Sequence, residues 1–213
     1  MNRRFHFQYL VYLVLALSFS SAHADKQVDF FRAVQLDDAR TVQRLLDEGL
    51  NPNSLSEKGQ PGLFVAIRDD APKVAAALLA HPRVNVDLVN ASDETPLMMA
   101  ALRGNLALAE QLIARGAAIN RPGWAPLHYA CTGPETRMAA LLLQRGAAIE
   151  ALSPNRSTPL MMAARYGPES SVELLLARGA QLQVRNDAGM TAVDFATSAG
   201  RESLARRLGE LAR

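Results

Sequence analysis

The stretch TPLMMAALRG runs from Thr95 to Gly104, and TPLMMAARYG runs from Thr158 to Gly167. Eight of ten positions are identical at a separation of 63 residues. A decapeptide written twice points to a longer internal period, and a period of 20–50 residues marks a chain built from stacked structural repeats.

Aligned on the first residue of this stretch, Val28, Pro61, Thr95, Ala125, Thr158 and Thr191 fall at spacings of 33, 34, 30, 33 and 33. Seventeen residues after each stands a leucine: Leu45, Leu78, Leu112, Leu142, Leu175 and Leu208. An apolar neighbour follows in five of the six, namely Leu46, Leu79, Ile113, Leu143 and Leu176. Three units then read RGA, from Arg115, Arg145 and Arg178.

Each unit reads as two short helices. Pro96, Pro126 and Pro159 suit a first helical turn, where the missing N–H costs nothing, and the threonine before Pro96 and Pro159 can cap it. Ala100, Ala101, Ala163 and Ala164 let neighbouring helices approach closely. Gly104, Gly167 and Gly200 are expected to close these helices in a left-handed conformation. In SSVELLLARGA, Val172, Leu175 and Leu176 lie at i, i+3 and i+4, one apolar face of a second helix. A polar stretch, QLQVRNDAGM, carries Asn and Gly for a tight turn. Two helices of this size cannot bury their faces alone and must stack on neighbours.

The pattern of TPLMMAARYGPESSVELLLARGAQLQVRNDAG closely resembles an ankyrin repeat, T-P-L-H-x-A-A followed by L-L-x-x-G-A and a polar turn. The resemblance extends over about Asp25 to Leu211. It implies an all-α ankyrin-repeat solenoid of about six helix-turn-helix units with short finger turns, bounded near 25–57, 58–91, 92–121, 122–154, 155–187 and 188–213. The first and last units, DFFRAVQLDDARTVQRLLDEGLNPN and TAVDFATSAG with RESLARRLGELAR, depart from the pattern as capping units do. The spacing of 30 shortens the fourth finger to NRPGWA, and Trp124 is expected near the tip of that stub.

The first 24 residues stand apart. Arg3 and Arg4 precede an apolar run from Tyr9 to Phe19, and Ala22-His23-Ala24 fits a signal-peptidase site, so cleavage is expected after Ala24. The apolar run is short for a bilayer span, which takes about 20 residues, and no lipid-bearing cysteine follows. A periplasmic location in a bacterium is therefore expected, without a membrane anchor. Removing Arg3 and Arg4 from 23 basic residues leaves 21, matching the 21 acidic ones. A neutral chain lacks the basic field that nucleic-acid backbones require.

Residue types that carry catalysis are scarce. His81, His128 and Cys131 are all the histidine and cysteine after residue 24, with no zinc spacing and no Gly-rich phosphate loop. No cofactor or metal is expected, and no enzyme activity. His128 and Cys131 lie at i and i+3. Packing accounts for both: His128 resembles the turn-tying histidine of the ankyrin pattern, and Cys131 takes the place of Ala101 and Ala164. The alternative is a thiol-dependent enzyme using Cys131.

The resemblance implies binding of one exported protein through a concave face, with the chain itself a monomer. The two positions before the helix-ending glycine, and those in register with them, are expected there: Gln35 and Leu36, Arg68 and Asp69, Leu102 and Arg103, Thr132 and Gly133, Arg165 and Tyr166, Ser198 and Ala199. The finger tips add Lys58, Glu94, Trp124, Asn155, Arg156 and Met190. Arg, Tyr and Trp dominate interface energetics, so Arg68, Arg103, Arg165, Tyr166 and Trp124 are the expected anchors. Two roles fit: an immunity-type inhibitor of a toxic effector, or a helper of a periplasmic enzyme.

Overall fold

A computed structural model describes residues 25–213, so the expected signal segment and its cleavage after Ala24 lie outside the described residues. Among the described residues the chain forms twelve helices in six pairs and no strand, apart from an isolated bridge between Leu55 and Pro61. They are α1 (25–35), α2 (Ala39–Asp47), α3 (Gly62–Arg68), α4 (Pro72–Ala80), α5 (Pro96–Arg103), α6 (Leu106–Ala114), α7 (Pro126–Thr132), α8 (Thr136–Gln144), α9 (Pro159–Tyr166), α10 (Glu169–Ala177), α11 (Ala192–Ser198) and α12 (Glu202–Leu211). They belong to two compact units, one ending at Val84 and the other spanning Asn85–Arg213. No described helix is long and apolar enough to cross a membrane.

The first unit holds α1 to α4, with α4 packed against both α2 and α3. Gly62 opens α3 against the Phe30 ring of α1, where a Cβ would stand 2.7 Å from the ring. The Asp37 carboxylate accepts from the Val74 N–H at 2.9 Å, which satisfies a free donor at the start of α4.

In the second unit α5, α7, α9 and α11 pack side by side as one layer. Each second helix packs on its own partner, and α8 touches α6 and α10 in a second layer. Thr95, Thr158 and Thr191 accept from the backbone three residues on and cap α5, α9 and α11. Matching side chains then tie each repeat to the next. Asp87 accepts from Ala118 N–H at 3.0 Å, Asn120 from Ala148 N–H at 2.8 Å, and Glu150 from Gln181 N–H at 2.8 Å.

The leucine register holds throughout: Leu45, Leu78, Leu112, Leu142, Leu175 and Leu208 are all buried. Their apolar neighbours divide, with Leu46 and Leu79 buried but Ile113, Leu143 and Leu176 only half-buried.

The helix ends differ from expectation in one respect. Gly104 is left-handed at φ 69° and Gly200 at φ 70°, but Gly167 is extended at φ −86°, ψ 170°. Its glycine serves proximity instead: a Cβ there would stand 2.1 Å from the Cys131 carbonyl oxygen at the end of α7. Gly133 repeats the arrangement 2.8 Å from the Leu102 carbonyl. The open end of α9 is closed from a distance, as one Arg201 guanidinium nitrogen donates to the carbonyls of Ala163, Ala164 and Gly167 at 3.0, 3.0 and 2.8 Å. A cation at a helix C-terminus also meets the negative end of the helix dipole.

Chemical denaturation checks this packing. Leu142→Ala is expected to lose about 2–5 kcal/mol, because a fully buried leucine leaves a cavity. Gly167→Ala is expected to destabilise through its backbone clash. Gly209→Ala, inside α12 with nothing within 4 Å, is expected to stabilise by roughly 0.5–1 kcal/mol. Equal midpoints for the two glycine variants would contradict the close approach of α7 and α9.

Candidate functional site: the first-helix edge

The side chains expected at the binding edge separate into those committed internally and those left open. In the first unit Arg68 is committed. Its Nε and Nη2 donate to the two carboxylate oxygens of Asp69 at 2.7 and 2.8 Å, and Nη1 donates to Gln60. The pair sits beside a groove of about 570 Å³ whose walls include Val28, Phe31, Arg32, Lys58 and Val65. Leu36 stands 72% exposed in the same unit.

In the second unit the edge is carried by α5, α7, α9 and α11. Arg103 and Tyr166 are exposed, Tyr166 to 58%. The half-buried Arg165 guanidinium lies 5.2 Å from the centre of the Tyr166 ring and 5.9 Å from that of Phe195, held by the negative ring faces. Neither Arg103 nor Arg165 pairs with a carboxylate among the described residues. On α7 the corresponding positions are the half-buried Thr132 and the buried Gly133. Two large side chains are thus replaced by small ones between α5 and α9. On α11 they are the exposed Ser198 and Ala199.

The finger residues differ more from expectation. Trp124 does not project at a tip: its ring packs edge-on against His128 at 5.3 Å and Tyr129 at 6.3 Å between centroids. Glu94 is half-buried, accepting from the Tyr129 hydroxyl at 2.9 Å and the Asn90 amide at 2.8 Å. Burial, with that carboxylate beside it, pushes the Tyr129 phenol up, so it stays a donor. Asn155 and Arg156 are exposed; the Asn155 carbonyl accepts from Asp187 N–H and Arg156 faces the Asp187 carboxylate at 3.9 Å. Met190 is half-buried, its N–H held by Asn186 at 3.0 Å, and Lys58 is exposed.

Trp124 folds inward to help form a groove of about 200 Å³, together with Leu102, His128, Tyr129, Thr132 and Met162. Trp124 of the shortened finger and Thr132, a small residue of α7, both lie in its walls. The sequence carries both signals, the spacing of 30 and Thr132-Gly133, but reading them singly hides that they meet.

His128 and Cys131 have structural tasks. His128 Nδ1 accepts from Ala125 N–H at 3.1 Å, which leaves Nε2–H to donate to the Ser157 carbonyl at 3.1 Å. One ring therefore closes its own helix and ties it to the next finger, where Asn186 in turn donates to the Ser157 hydroxyl. Cys131 is fully buried, and burial pushes its thiol up to about 12. Nucleophilic cysteines are thiolates in electropositive surroundings, and this one is neither. Among the described residues no group of three or more His, Cys, Asp and Glu is placed to hold a metal ion.

Known proteins agree with this architecture. The family description "Ankyrin repeats (3 copies)" matches residues 30–122, 72–153 and 127–211, so the chain belongs to the ankyrin-repeat family. Among curated relatives it is 26% identical over 204 residues to Protein glp-1 of Caenorhabditis elegans, covering 88% of this chain and 16% of that protein. It is 34% identical over 174 residues to human Ankyrin repeat and SOCS box protein 16, covering 76% and 38% respectively. The chain thus spans less than half the length of these relatives. Among solved structures it resembles a chain of the Bd0816 predatory endopeptidase from Bdellovibrio bacteriovorus in complex with immunity protein Bd3460. The TM-score is 0.72 at 25% identity, covering 85% of this chain and 97% of that one.

Two measurements check the buried groups. Burial lowers the His128 pKa below its ordinary 6.5, so the folded state favours the neutral ring. The unfolded chain then binds more protons below pH 6.5, and stability present above that pH is lost as pH falls toward the folded value. The parent is expected to lose more stability from pH 7.5 to 5.0 than His128→Leu, by about 1.4 kcal/mol for each unit of pKa difference. Cys131 is expected to resist a thiol reagent in native protein and to react in denaturant. Rapid native labelling would reopen the thiol-enzyme alternative.

Proposed function

We propose that this chain is an exported protein-binding module that holds one partner protein on the first-helix edge of its second unit, as an immunity-type inhibitor of an effector. The observation that carries the reading is the edge itself. Arg103, Arg165 and Tyr166 stand on an ankyrin framework, and among the described residues no carboxylate pairs with the two cations. Such side chains are the usual anchors of protein interfaces. The likeness to a chain from a complex of an endopeptidase with an immunity protein supports the inhibitor role over the helper role. The Arg3-Arg4 start, the apolar run and the Ala22-His23-Ala24 site support export to a periplasm.

Affinity capture from periplasmic extract tests this, comparing the parent with a variant carrying Arg103→Ala, Arg165→Ala and Tyr166→Ala together. One protein retained by the parent and lost by the variant is expected. Its enzymatic activity is expected to fall on adding one equivalent of the chain. Retention by both would move the interface off this edge. Raised activity of the captured enzyme would replace the inhibitor with the helper, and capture from cytoplasm alone would overturn export.

A further inference from the structure

The groove on α7 has a shape and charge that define what fits it. Its walls are Leu102 of α5, Tyr129 and Thr132 of α7, Met162 of α9, and the inward-turned Trp124 with His128 behind it. Its volume, about 200 Å³, is that of one large apolar side chain rather than of a peptide backbone. The His128 ring nitrogens are both occupied by Ala125 and Ser157, and the Thr132 hydroxyl donates to the Tyr129 carbonyl at 2.9 Å. The Tyr129 hydroxyl is given to Glu94. What the groove offers an occupant is therefore apolar surface.

Two cations stand close to these walls in the chain, outside the lining itself. Arg103 follows Leu102 directly, and Arg165 lies one turn after Met162 on the same helix, braced between Tyr166 and Phe195. These two guanidiniums meet no carboxylate of the described chain, whereas Arg121, Arg137 and Arg207 are paired with Asp93, Glu135 and Glu169 at 2.8–2.9 Å. A guanidinium offers a planar fork of donors that matches a carboxylate. Hydrophobic burial at a pocket centre with charge pairing at its rim is the arrangement of a strong anchor site.

We propose that this groove receives a single leucine-, methionine- or phenylalanine-like side chain from an acidic loop of the partner, with Arg103 and Arg165 taking carboxylates on either side of it. The inference rests on the protein-binding reading above and names the chemistry of the partner at that edge. It also gives the short fourth finger a purpose, since a full-length finger would add residues beside the opening.

Trp124, the chain's single tryptophan, reports occupancy. A displayed library of random peptides is selected on the purified full chain, and clones are ranked by the change in Trp124 emission. Enriched sequences are expected to carry one large apolar residue flanked by Asp or Glu. Binding is expected to drop at least about tenfold with Thr132→Phe, which fills the groove, and with Leu102→Glu on the opposite wall. Arg206→Ala, on the exposed face of α12, is expected to bind like the parent, and all variants should melt like it. Arg103→Glu is expected to abolish selection of the acidic flanks while leaving the apolar preference. Clones that depend on Tyr166 yet tolerate Thr132→Phe and Leu102→Glu would overturn the groove and leave the protein-binding reading standing. Enrichment without acidic residues, or no groove-dependent clone, would also overturn it.

Discussion

Helices of seven to ten residues, such as those from α2 to α12 here, are too short to persist in water alone. Each survives because its neighbour covers it, and in the second unit that cover depends on very close approach between successive first helices. Gly133 lies against the Leu102 carbonyl and Gly167 against the Cys131 carbonyl, at separations that leave no room for a side chain. The buried alanines and Cys131 belong to the same demand: α5, α7 and α9 can lie side by side only if the faces between them are small. A reactive thiol at Cys131 is incompatible with this packing, so the constraint that builds the fold also removes the main candidate for catalysis.

The same packing creates the proposed binding edge. Once small residues fill the contacts between first helices, the large side chains of those helices point to the free edge, where Leu102, Arg103, Arg165 and Tyr166 stand. The hydrogen bonds of His128 to Ala125 and Ser157 fix α7 against the following finger. The backbone that carries the edge is thereby tied from one repeat to the next, which would lower the ordering cost of binding there. Variation along it comes from length and size: three residues fewer in one finger, and Thr132 with Gly133 where α9 carries Arg165 with Tyr166.

Much of this was legible in the sequence because repetition averages out local ambiguity. The Leu112, Leu142 and Leu175 register is unmistakable when six copies agree, and Thr-Pro marks helix starts through simple capping chemistry. Helix ends were less legible. Gly167 reads as a left-handed cap until the Cys131 carbonyl is seen beside it, and the true cap, Arg201, reaches back over 34–38 residues to the last carbonyls of α9. Trp124 and Glu94 read as finger-tip residues, but both pack against Tyr129, a contact that the spacing of their own segments does not reveal. The partner is not legible at all, since a binding surface is matched to another molecule that this sequence does not contain.

The most direct measurement is photo-crosslinking in the producing cell from a reactive amino acid at Tyr166, with a matched one at the exposed Arg206 of α12. The account predicts one crosslinked protein from position 166 and none from position 206. Crosslinks from position 206 with none from position 166 would contradict the assignment of the first-helix edge as the binding surface.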